Sequence, residues 1–262
     1  MIILSIDVGI KNLGFCLASI NKINNTKICN IDFKILDWSI INLINNNICN
    51  EIKSCKCNAK FIINTNYLNN NTTDINNNTT DINNIKYLCN KHSEKYNKKD
   101  LIKIKNNNSN NTSLINITSN IINELNDYFD NIKKTHNISI TDISNIIIEN
   151  QIGPLAIRMK SIQALLTMYF VFNNNDNIIY INSSNKLKYF DDKNTSYKDR
   201  KKKGIIITEL LLNNNFENFT NEKFNKYKIT ILSELWINNF KISKKKDDLA
   251  DCFLQLLYFI IN

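Results

Sequence analysis

The sequence lacks the features that direct a chain out of the cell or into a bilayer. The hydrophobic start is interrupted by Asp7 and Lys11, so it does not match a signal peptide and instead predicts a β-strand. The apolar segment 249–262 is shorter than the roughly 20 residues that span a bilayer, and it contains Asp251 and Gln255. No arginine-rich amphipathic N-terminus is present, which argues against mitochondrial import. We expect a soluble, intracellular protein that is not secreted and has no membrane partner.

A disulfide framework is not expected either. The chain has 7 cysteines, an odd number, and without a secretory signal these are expected to be reduced thiols or metal ligands. Histidine is scarce, with 2 residues, and one of them, His92, follows Cys89 by three positions. These residues therefore favour a metal site over extracellular disulfide bonds.

Positive charge is in excess. Lys and Arg together number 33 against 24 Asp and Glu, which gives a formal net charge of +9 and a pI near 9.1. Arg158 and Arg200 are the only arginines in the sequence. This balance favours an anionic partner such as nucleic acid.

The hydrophobic pattern divides the chain into a regular part and an irregular part. Three strands are predicted before residue 45, and β-branched runs ending at Glu149 and near Ser184 predict two more. Residues 49–110 are polar and asparagine-rich, and they are predicted to be an insertion in a core formed by residues 1–48 and 111–262. Helices are predicted for LINITSNIINELNDYF, PLAIRMKSIQALLTMYFVF, YKDRKKKGIIITELLL and DDLADCFLQLLYFII.

Acidic side chains occur where predicted elements end or begin. Asp7 ends the first strand and Glu149 ends the fourth, where a buried carboxylate requires a partner or a metal. In KKKDDLADCFLQ, Asp248 and Asp251 lie on one face of a helix, and a hard divalent cation such as Mg2+ would offset their repulsion. The role of Asp247 beside them is left open. Together, these acids predict a site for a pair of divalent cations.

Three of these segments resemble the RuvC-type Holliday junction resolvases of the ribonuclease H-like superfamily, most closely the poxvirus and mitochondrial branch. SIDVGIKNLGF is similar to the first strand of that family, IIIENQ to its central strand and KKDDLADCFLQ to its closing acidic helix. The motifs follow the family's order and span nearly the whole chain. The resemblance implies an α/β, ribonuclease H-like fold, in which helices flank a mixed five-stranded sheet.

The same resemblance implies an activity. Asp7, Glu149, Asp248 and Asp251 would hold two Mg2+ ions, for which Mn2+ would substitute, in an endodeoxyribonuclease. One ion would activate a water and the other would stabilise the leaving 3′ oxygen, so that the products carry 5′-phosphates. Paired nicks in a four-way junction, in DNA recombination or repair, imply a homodimer, with the helix PLAIRMKSIQALLTMYFVF as the expected interface. Kinship with poxvirus proteins further implies a viral origin and a cytoplasmic viral factory.

Basic side chains follow the predicted strands and are expected to contact DNA phosphates. The DNA-contacting lysines of the resembled family correspond most directly to Lys186 and Lys202, because the segments SSNKL and YKDRKK resemble family segments. A solvated surface is the alternative for any one of these side chains. The other residues expected at the DNA are Lys11, Arg158, Lys160, Arg200 and Lys201.

The insertion contains residues of the types that bind zinc. A C-x-C pair and a C-x2-H pair supply the ligands of a closed tetrahedral site, although C-x-C is tighter than the usual spacing. Zn2+ would stabilise a segment with little means of forming its own core. The expected ligands are Cys55, Cys57, Cys89 and His92. The other cysteines are expected to pack as small apolar residues, namely Cys16, Cys29, Cys49 and Cys252.

Other interpretations of the same residues remain open. One keeps the fold but changes the substrate to RNA–DNA hybrids, flaps or transposon ends. Another is a non-catalytic, zinc-stabilised nucleic-acid-binding protein in which the acids are structural. An actin-like ATPase is weaker, because no second Asp-x-Gly loop follows the first. A P-loop nucleotide site is not expected, because Phe15 and Cys16 follow Gly14 where Lys and Ser/Thr are needed.

Overall fold

The computed structural model describes residues 1–24, 29–44, 49–52, 54–55, 57, 59–65, 85–104, 112–153, 156–190, 196–215, 219, 226–232 and 234–262. The strands are β1 (Ile2–Val8), β2 (Asn12–Asn24), β3 (Cys29–Asn42), β4 (Phe61–Asn64), β5 (Ile85–Leu88), β6 (Ile102–Lys103), β7 (Asn145–Asn150), β8 (Ile178–Asn182) and β9 (Tyr227–Leu232). The helices are α1 (Asn90–Ser93), α2 (Leu114–His136), α3 (Ile157–Phe172), α4 (Tyr197–Leu212), α5 (Glu234–Ile242) and α6 (Lys246–Ile261). The asparagine-rich stretches 66–84 and 105–111, and Pro154 at the predicted start of α3, lie outside the described residues.

The main sheet has six strands in the order β8-β7-β1-β2-β3-β9. β1, β2 and β3 form an antiparallel meander, and β7 and β8 extend the sheet parallel to β1. This confirms the predicted α/β fold, a mixed sheet flanked by helices. The sheet also has a sixth strand, β9, which pairs parallel with β3 and was not predicted, nor was helix α5 after it.

Helices cover both faces of the main sheet, because the inner strands are apolar on both sides. Every residue of β1 from Ile3 to Val8 is buried. Ile3 and Ile147 belong to one hydrophobic cluster, which includes residues of α4 and α6. Leu4, Ile6 and Ile148 belong to the other, which includes residues of α2 and α3. Because side chains alternate along a strand, β1 and β7 each contribute to both clusters.

The chain divides into two compact units, Met1–Leu43 with Leu114–Asn262, and Ile44–Ser113. The second unit contains a small antiparallel sheet in the order β5-β4-β6 and the short helix α1. Its bounds lie a few residues outside the predicted insertion 49–110.

None of the helices in the described part of the chain combines the length and apolar character that a bilayer crossing requires.

Candidate functional site

Two of the predicted acids meet because their strands are neighbours that run in the same direction. β1 and β7 pair in parallel, with Ile6 opposite Ile148, so Asp7 and Glu149 end adjacent strands at the same edge of the sheet. The alternation of side chains places Asp7 on the side of Ile3, and Glu149 on the side of Ile147. Both carboxylates therefore point to the face that α6 covers, where they are 8% and 9% exposed.

The N-terminal part of α6 is held closely against this edge. A Cβ atom at Gly14 would lie 2.6 Å from the carbonyl oxygen of Asp248 and 3.4 Å from the Cβ of Asp7, so only glycine permits this approach. The Trp38 indole nitrogen donates to the Leu249 carbonyl oxygen at 3.0 Å. Further along α6, the buried Gln255 amide donates to the Ser5 hydroxyl and the Ile6 carbonyl oxygen, both at 3.2 Å. These contacts fix the positions of Asp248 and Asp251 relative to β1.

A buried lysine lies at the centre of the acids. The Nζ atom of Lys186 is 2.6 Å from Asp7 Oδ1, 3.1 Å from Glu149 Oε1 and 3.6 Å from Asp251 Oδ2. Lys186 is 4% exposed, so the structure does not place it on an open surface as expected for a simple phosphate contact. It follows β8, in the turn after Ser183–Asn185, which brings it to the same sheet edge as Asp7 and Glu149.

Burial and mutual repulsion change the proton affinity of the acids. Burial raises the pKa of Glu149 to about 7; Asp7 and Asp251 add to this effect, and Lys186 opposes it. Burial also raises the pKa of Asp251 to about 6 and that of Asp248 above its ordinary value. Burial alone would lower the pKa of Lys186, but the neighbouring carboxylates raise it well above its ordinary value. One ammonium group is therefore insufficient to balance the negative charge of the cluster.

Asp247 has a different environment from the other acids of α6. Its Oδ2 accepts a hydrogen bond from Lys201 Nζ at 2.7 Å, and Lys201 also lies 3.5 Å from Asp248 Oδ1. Burial opposes ionisation of Asp247, but the Lys201 hydrogen bond together with the positive charges of Lys201 and Lys245 lowers its pKa overall. Asp247 therefore pairs with α4, whereas Asp251 faces Lys186.

Two amide side chains that were not predicted contact the acids. Gln151 donates from Nε2 to Glu149 Oε2 at 2.8 Å and to the Val8 carbonyl oxygen at 3.4 Å. Asn12 donates from Nδ2 to Asp248 Oδ2 at 3.3 Å. Gln151 lies in the motif IIIENQ and Asn12 in the motif SIDVGIKNLGF. A polar residue soon after each strand-end acid was therefore the sequence feature that could have predicted these contacts.

The acids line one cleft of about 370 Å³, together with Arg200, Lys201 and Tyr197 of α4. Arg200 and Lys201 are thus the predicted basic residues that the structure places beside the carboxylates, in addition to Lys186. Lys11 and Lys202 are exposed, in the β1–β2 turn and on α4. Lys160 lines a separate groove beside Gln151, and Arg158 is half-buried on α3.

The donor set of the cleft suits a hard divalent cation. Asp7, Glu149, Asp248 and Asp251 offer carboxylate oxygens, the ligand type that Mg2+ and Mn2+ prefer. The Lys186 ammonium, with three of these carboxylates around it, occupies a position where positive charge is electrostatically favourable. The four predicted acids thus offer the type of ligand that such a cation requires, and they line a cleft of about 370 Å³.

A second group of ligand-type side chains lies in the other unit. The thiols of Cys49, Cys55 and Cys89 and a ring nitrogen of His92 all lie within 4.8 Å of one another. Cys49 Sγ is 3.2 Å and Cys89 Sγ is 3.6 Å from His92 Nδ1. The structure therefore brings together three of the four predicted zinc ligands, and Cys49 joins them. Cys57 is exposed and outside this group, although its carbonyl oxygen accepts a hydrogen bond from the Cys49 backbone N–H at 2.8 Å.

Hydrogen bonds around the thiols favour the thiolate form at two positions. Backbone N–H groups of His92 and Lys91 lower the pKa of Cys89, with the His92 group first. Desolvation would raise the pKa of Cys49, but hydrogen bonds from the Glu51 backbone and the His92 ring lower it overall. At Cys55 a backbone hydrogen bond at Cys57 lowers the pKa, but desolvation and the neighbouring thiols raise it overall to about 11. Three sulfurs and one imidazole nitrogen are a ligand set that suits a soft or borderline cation such as Zn2+.

The chain was compared with known proteins. No protein-family model matches it. No curated protein sequence matches it either. Among solved structures, the fowlpox virus resolvase in complex with Holliday junction DNA is 16% identical, with 99% of this chain and 97% of that chain covered and a TM-score of 0.40. RuvC from Thermus thermophilus is 7% identical, with 99% and 95% covered and a TM-score of 0.42. The fowlpox virus Holliday junction resolvase is 15% identical, with 99% and 97% covered and a TM-score of 0.38.

Proposed function

We propose that this protein is a Mg2+-dependent endonuclease that resolves four-way DNA junctions, as a RuvC-type enzyme of the poxvirus and mitochondrial branch. One observation carries the proposal: acids from β1, β7 and α6 surround the buried ammonium group of Lys186 in an open cleft. The choice of a junction as substrate is supported by the three sequence motifs, which occur in the order found in that family.

The carboxylates of Asp7, Glu149, Asp248 and Asp251 would hold the cations in this mechanism. Bound Mg2+ would supply activation of an attacking water and stabilisation of the leaving 3′ oxygen, with 5′-phosphate and 3′-hydroxyl ends as products. Gln151 orients Glu149, because its amide occupies Oε2 and leaves Oε1 directed to the shared centre. Burial of Asp7 and Glu149 would exclude bulk water from one side of the scissile phosphate.

The basic residues of the cleft would bind the DNA backbone. Arg200 and Lys201 line the cleft on the α4 side, where a phosphate approaching the acids would pass them. Lys186 would remain charged, because the pKa shift keeps its ammonium form favoured. Its role is to reduce repulsion between the carboxylates and the phosphate. Lys11, Lys160 and Lys202 would contact phosphates further from the reacting group.

A symmetric pair of nicks would require two copies of the cleft. We propose a homodimer formed through α3, whose inner side buries Ile162, Leu166 and Phe170. Its remaining surface exposes Met168 and Phe172, at 56% and 85%. Large exposed apolar side chains on one helix are typical of an interface between subunits. The double variant Met168→Glu and Phe172→Glu is expected to sediment as a monomer. This monomer should still bind DNA, but it should no longer make paired nicks in the cleavage assay.

We also propose that Cys49, Cys55, Cys89 and His92 hold one structural Zn2+. In a tetrahedral site a thiolate sulfur and an imidazole nitrogen lie about 3.6 Å apart, given Zn–S and Zn–N bonds of about 2.3 and 2.1 Å. The sulfur–nitrogen distances of 3.2 and 3.6 Å to His92 are close to that value. Elemental analysis of the purified protein should find about one zinc per chain, and a chain without zinc would contradict this assignment.

The nuclease proposal is tested by incubating the protein with Mg2+ and a panel of DNA substrates. The panel contains a synthetic four-way junction, a linear duplex, an RNA–DNA hybrid, a flap and a transposon end. We expect paired nicks in the junction only, and loss of these nicks in Asp7→Asn and Asp251→Asn. Asp32→Asn, at an exposed acid on β3, is the matched control and should cut normally.

Each other outcome of this assay has a defined meaning. Undiminished cutting by both variants would overturn the assignment of the site. Preferential cutting of the hybrid, flap or transposon end would retain the nuclease and change its substrate. Mg2+-independent DNA binding without cutting of any branched DNA would instead favour the non-catalytic binding protein.

A further inference from the structure

The unit that contains the Cys/His cluster carries a lysine-rich segment that the proposed nuclease mechanism does not use. Residues 90–100 follow the ligand Cys89 and contain the ligand His92. Four lysines of this segment, named here the lysine turn, are exposed: Lys91, Lys95, Lys98 and Lys99. The exposed acids of the segment are Glu94 and Asp100, so lysines outnumber acids by two.

The backbone of the lysine turn is ordered by short-range hydrogen bonds. Ser93 N–H donates to the Cys89 carbonyl oxygen at 2.9 Å, and Tyr96 N–H donates to the Ser93 carbonyl oxygen at 3.1 Å. Lys91 lies on α1, and Lys95 lies two residues beyond the end of this helix. A tight turn follows, closed by Asp100 N–H to the Asn97 carbonyl oxygen at 3.0 Å, with Lys98 and Lys99 at its tip.

The nearby acid Glu51 does not neutralise these lysines as a group. It accepts hydrogen bonds from Lys86 at 3.1 Å and from the Tyr96 hydroxyl at 2.9 Å, and Lys95 lies 3.8 Å away. Within the described part of the chain, Lys91, Lys98 and Lys99 form no ion pair. Like charges so close together are unfavourable alone, and a polyanion would offset their repulsion.

The composition of the segment identifies the class of polyanion. Residues 90–100 contain no Leu, Ile, Val, Met, Phe or Trp, and their single aromatic residue, Tyr96, is half-buried. A membrane-surface segment needs apolar side chains to enter the lipid, and a protein interface needs a desolvated apolar centre. A phosphate backbone needs neither, because lysines bind it through charge and counterion release.

We infer that the lysine turn is an accessory contact surface for the phosphate backbone of nucleic acid, and that the Cys/His cluster holds it in place. Two of the four residues of this cluster, Cys89 and His92, flank Lys91, so the cluster and the lysines share one short stretch of backbone. The inference rests on the proposed function in one respect, namely that DNA is the partner. It adds a DNA contact outside the nuclease unit, in the unit Ile44–Ser113.

The test compares two full-length variants that lose the same charge. One carries Lys91→Gln, Lys95→Gln, Lys98→Gln and Lys99→Gln. The other carries Lys133→Gln, Lys134→Gln, Lys226→Gln and Lys228→Gln, at exposed positions on the last turn of α2 and at the start of β9. Binding of a fluorescent four-way junction is measured by anisotropy over a range of NaCl concentrations in the presence of Ca2+, and cleavage is measured with Mg2+ at saturating DNA.

The lysine-turn variant should bind about tenfold or more weakly at low salt, with a salt slope smaller by about 2 to 4. The control variant should bind like the unmodified protein, and both should cleave at the normal rate once DNA is saturating. A smaller variant carries only Lys98→Gln and Lys99→Gln. It loses two of the four lysines, so the change in salt slope should be about half as large. Its zinc content should be normal, because both positions lie outside the C-x2-H spacing. This smaller variant keeps the inference testable if the fourfold variant fails to fold.

The outcomes separate this inference from the proposed function. Normal junction cleavage with unchanged salt slopes in both lysine-turn variants would overturn the inference and leave the nuclease standing. Reduced slopes in a protein that cuts no branched DNA would support the inference and overturn the nuclease. If vesicles containing phosphatidylserine bind through the same lysines while DNA binding is unchanged, the partner is a membrane surface and the inference fails.

Discussion

The two groups of candidate metal-ligand side chains in this chain are assembled in opposite ways. The carboxylates come from β1, β7 and α6, which lie far apart in sequence, and a buried sheet and helix bring them together. The Cys/His cluster draws its members from residues 49–92, a segment with short strands and a small helix. Hydrophobic packing positions the carboxylates. The Cys/His side chains, in contrast, would stabilise the segment around them by binding a metal. Changes in one unit should therefore leave the chemistry of the other intact.

The largest effect is expected when a ligand of the Cys/His cluster is removed. Cys49→Ser should abolish stoichiometric zinc binding, because a neutral hydroxyl replaces one of the three thiols. Cys57→Ser, the matched control, should retain about one zinc per chain, since Cys57 is exposed and outside the cluster. Elemental analysis and junction cleavage are the measurements. If only Cys57→Ser lost zinc, the ligands would be Cys55 and Cys57, as the C-x-C spacing predicted. Complete loss of cleavage in Cys49→Ser would show that the two units depend on each other.

A smaller effect is expected when the close contact between Gly14 of β2 and the start of α6 is disturbed. Gly14→Ala would place a methyl group 2.6 Å from the Asp248 carbonyl oxygen, so the helix start must move and the protein should lose about 1 to 3 kcal/mol of stability. Cleavage should fall as Asp248 is displaced from Asp7. Gly204→Ala is the control, because its methyl group would meet Leu254 at an ordinary 3.6 Å and should be neutral or slightly stabilising. Denaturant unfolding and cleavage rates measure both effects, and equal behaviour of the two variants would contradict the explanation.

Gln151 offers a third comparison, because it contacts Glu149 without being a candidate ligand. Gln151→Met keeps the approximate size but removes the donor to Glu149 Oε2 and the Val8 carbonyl oxygen. We expect a loss of about 10- to 100-fold in cleavage or Mn2+ affinity, typical for residues that orient metal ligands. Calorimetric Mn2+ titration separates this effect from misfolding, with the thermal unfolding midpoint as control. Unchanged Mn2+ affinity and unchanged cleavage would assign Gln151 a purely structural role.

The smallest effect concerns pH in the presence of a chelator. An ordinary glutamate has a pKa of about 4.3, whereas burial raises that of Glu149 to about 7. The folded state therefore binds the proton more tightly, and the stability that this protonation contributes is lost as pH rises from about 4 to about 7. Asp251, with a pKa of about 6, acts in the same direction.

This pH dependence is measured by thermal unfolding in EDTA. Glu149→Gln should reduce the fall in midpoint with rising pH, while Asp32→Asn, at an exposed position on β3, should not change it. A steeper fall in Glu149→Gln than in the unmodified protein would contradict the predicted sign. Addition of Mg2+ should reverse the trend for the unmodified protein, because cation binding favours the ionised carboxylates.

The acid cluster was predictable because its members lie at the ends of regular elements. Asp7 and Glu149 follow apolar strands, and Asp248 and Asp251 begin an apolar helix, so periodicity indicated the positions that the structure brings together. Strand β9 was missed because it is a short edge strand, with only Ile229 and Ile231 buried among exposed or half-buried neighbours. Such a strand gives a weak pattern.

Contacts between distant side chains were less predictable. Lys186 was expected among the DNA contacts, yet its burial between three carboxylates depends on β8 ending beside β7, which a one-dimensional pattern does not specify. Cys49 was missed because the choice between Cys49 and Cys57 depends on an irregular backbone. In that segment no period fixes the direction of a side chain, so residue spacing alone could not identify the fourth member of the cluster.

The contact between Trp38 and the first turn of α6 provides a fluorescence probe of the site. Its indole donates to the carbonyl of Leu249, stacks on Phe240 at 5.0 Å and is 4% exposed, directly beside the residue that follows Asp248. The only other tryptophan, Trp236, donates to the Ile35 carbonyl oxygen. The protein therefore contains an intrinsic fluorophore at the first turn of its acidic helix. In a Trp236→Phe background, emission from Trp38 would follow cation binding at that helix directly, without DNA, label or turnover.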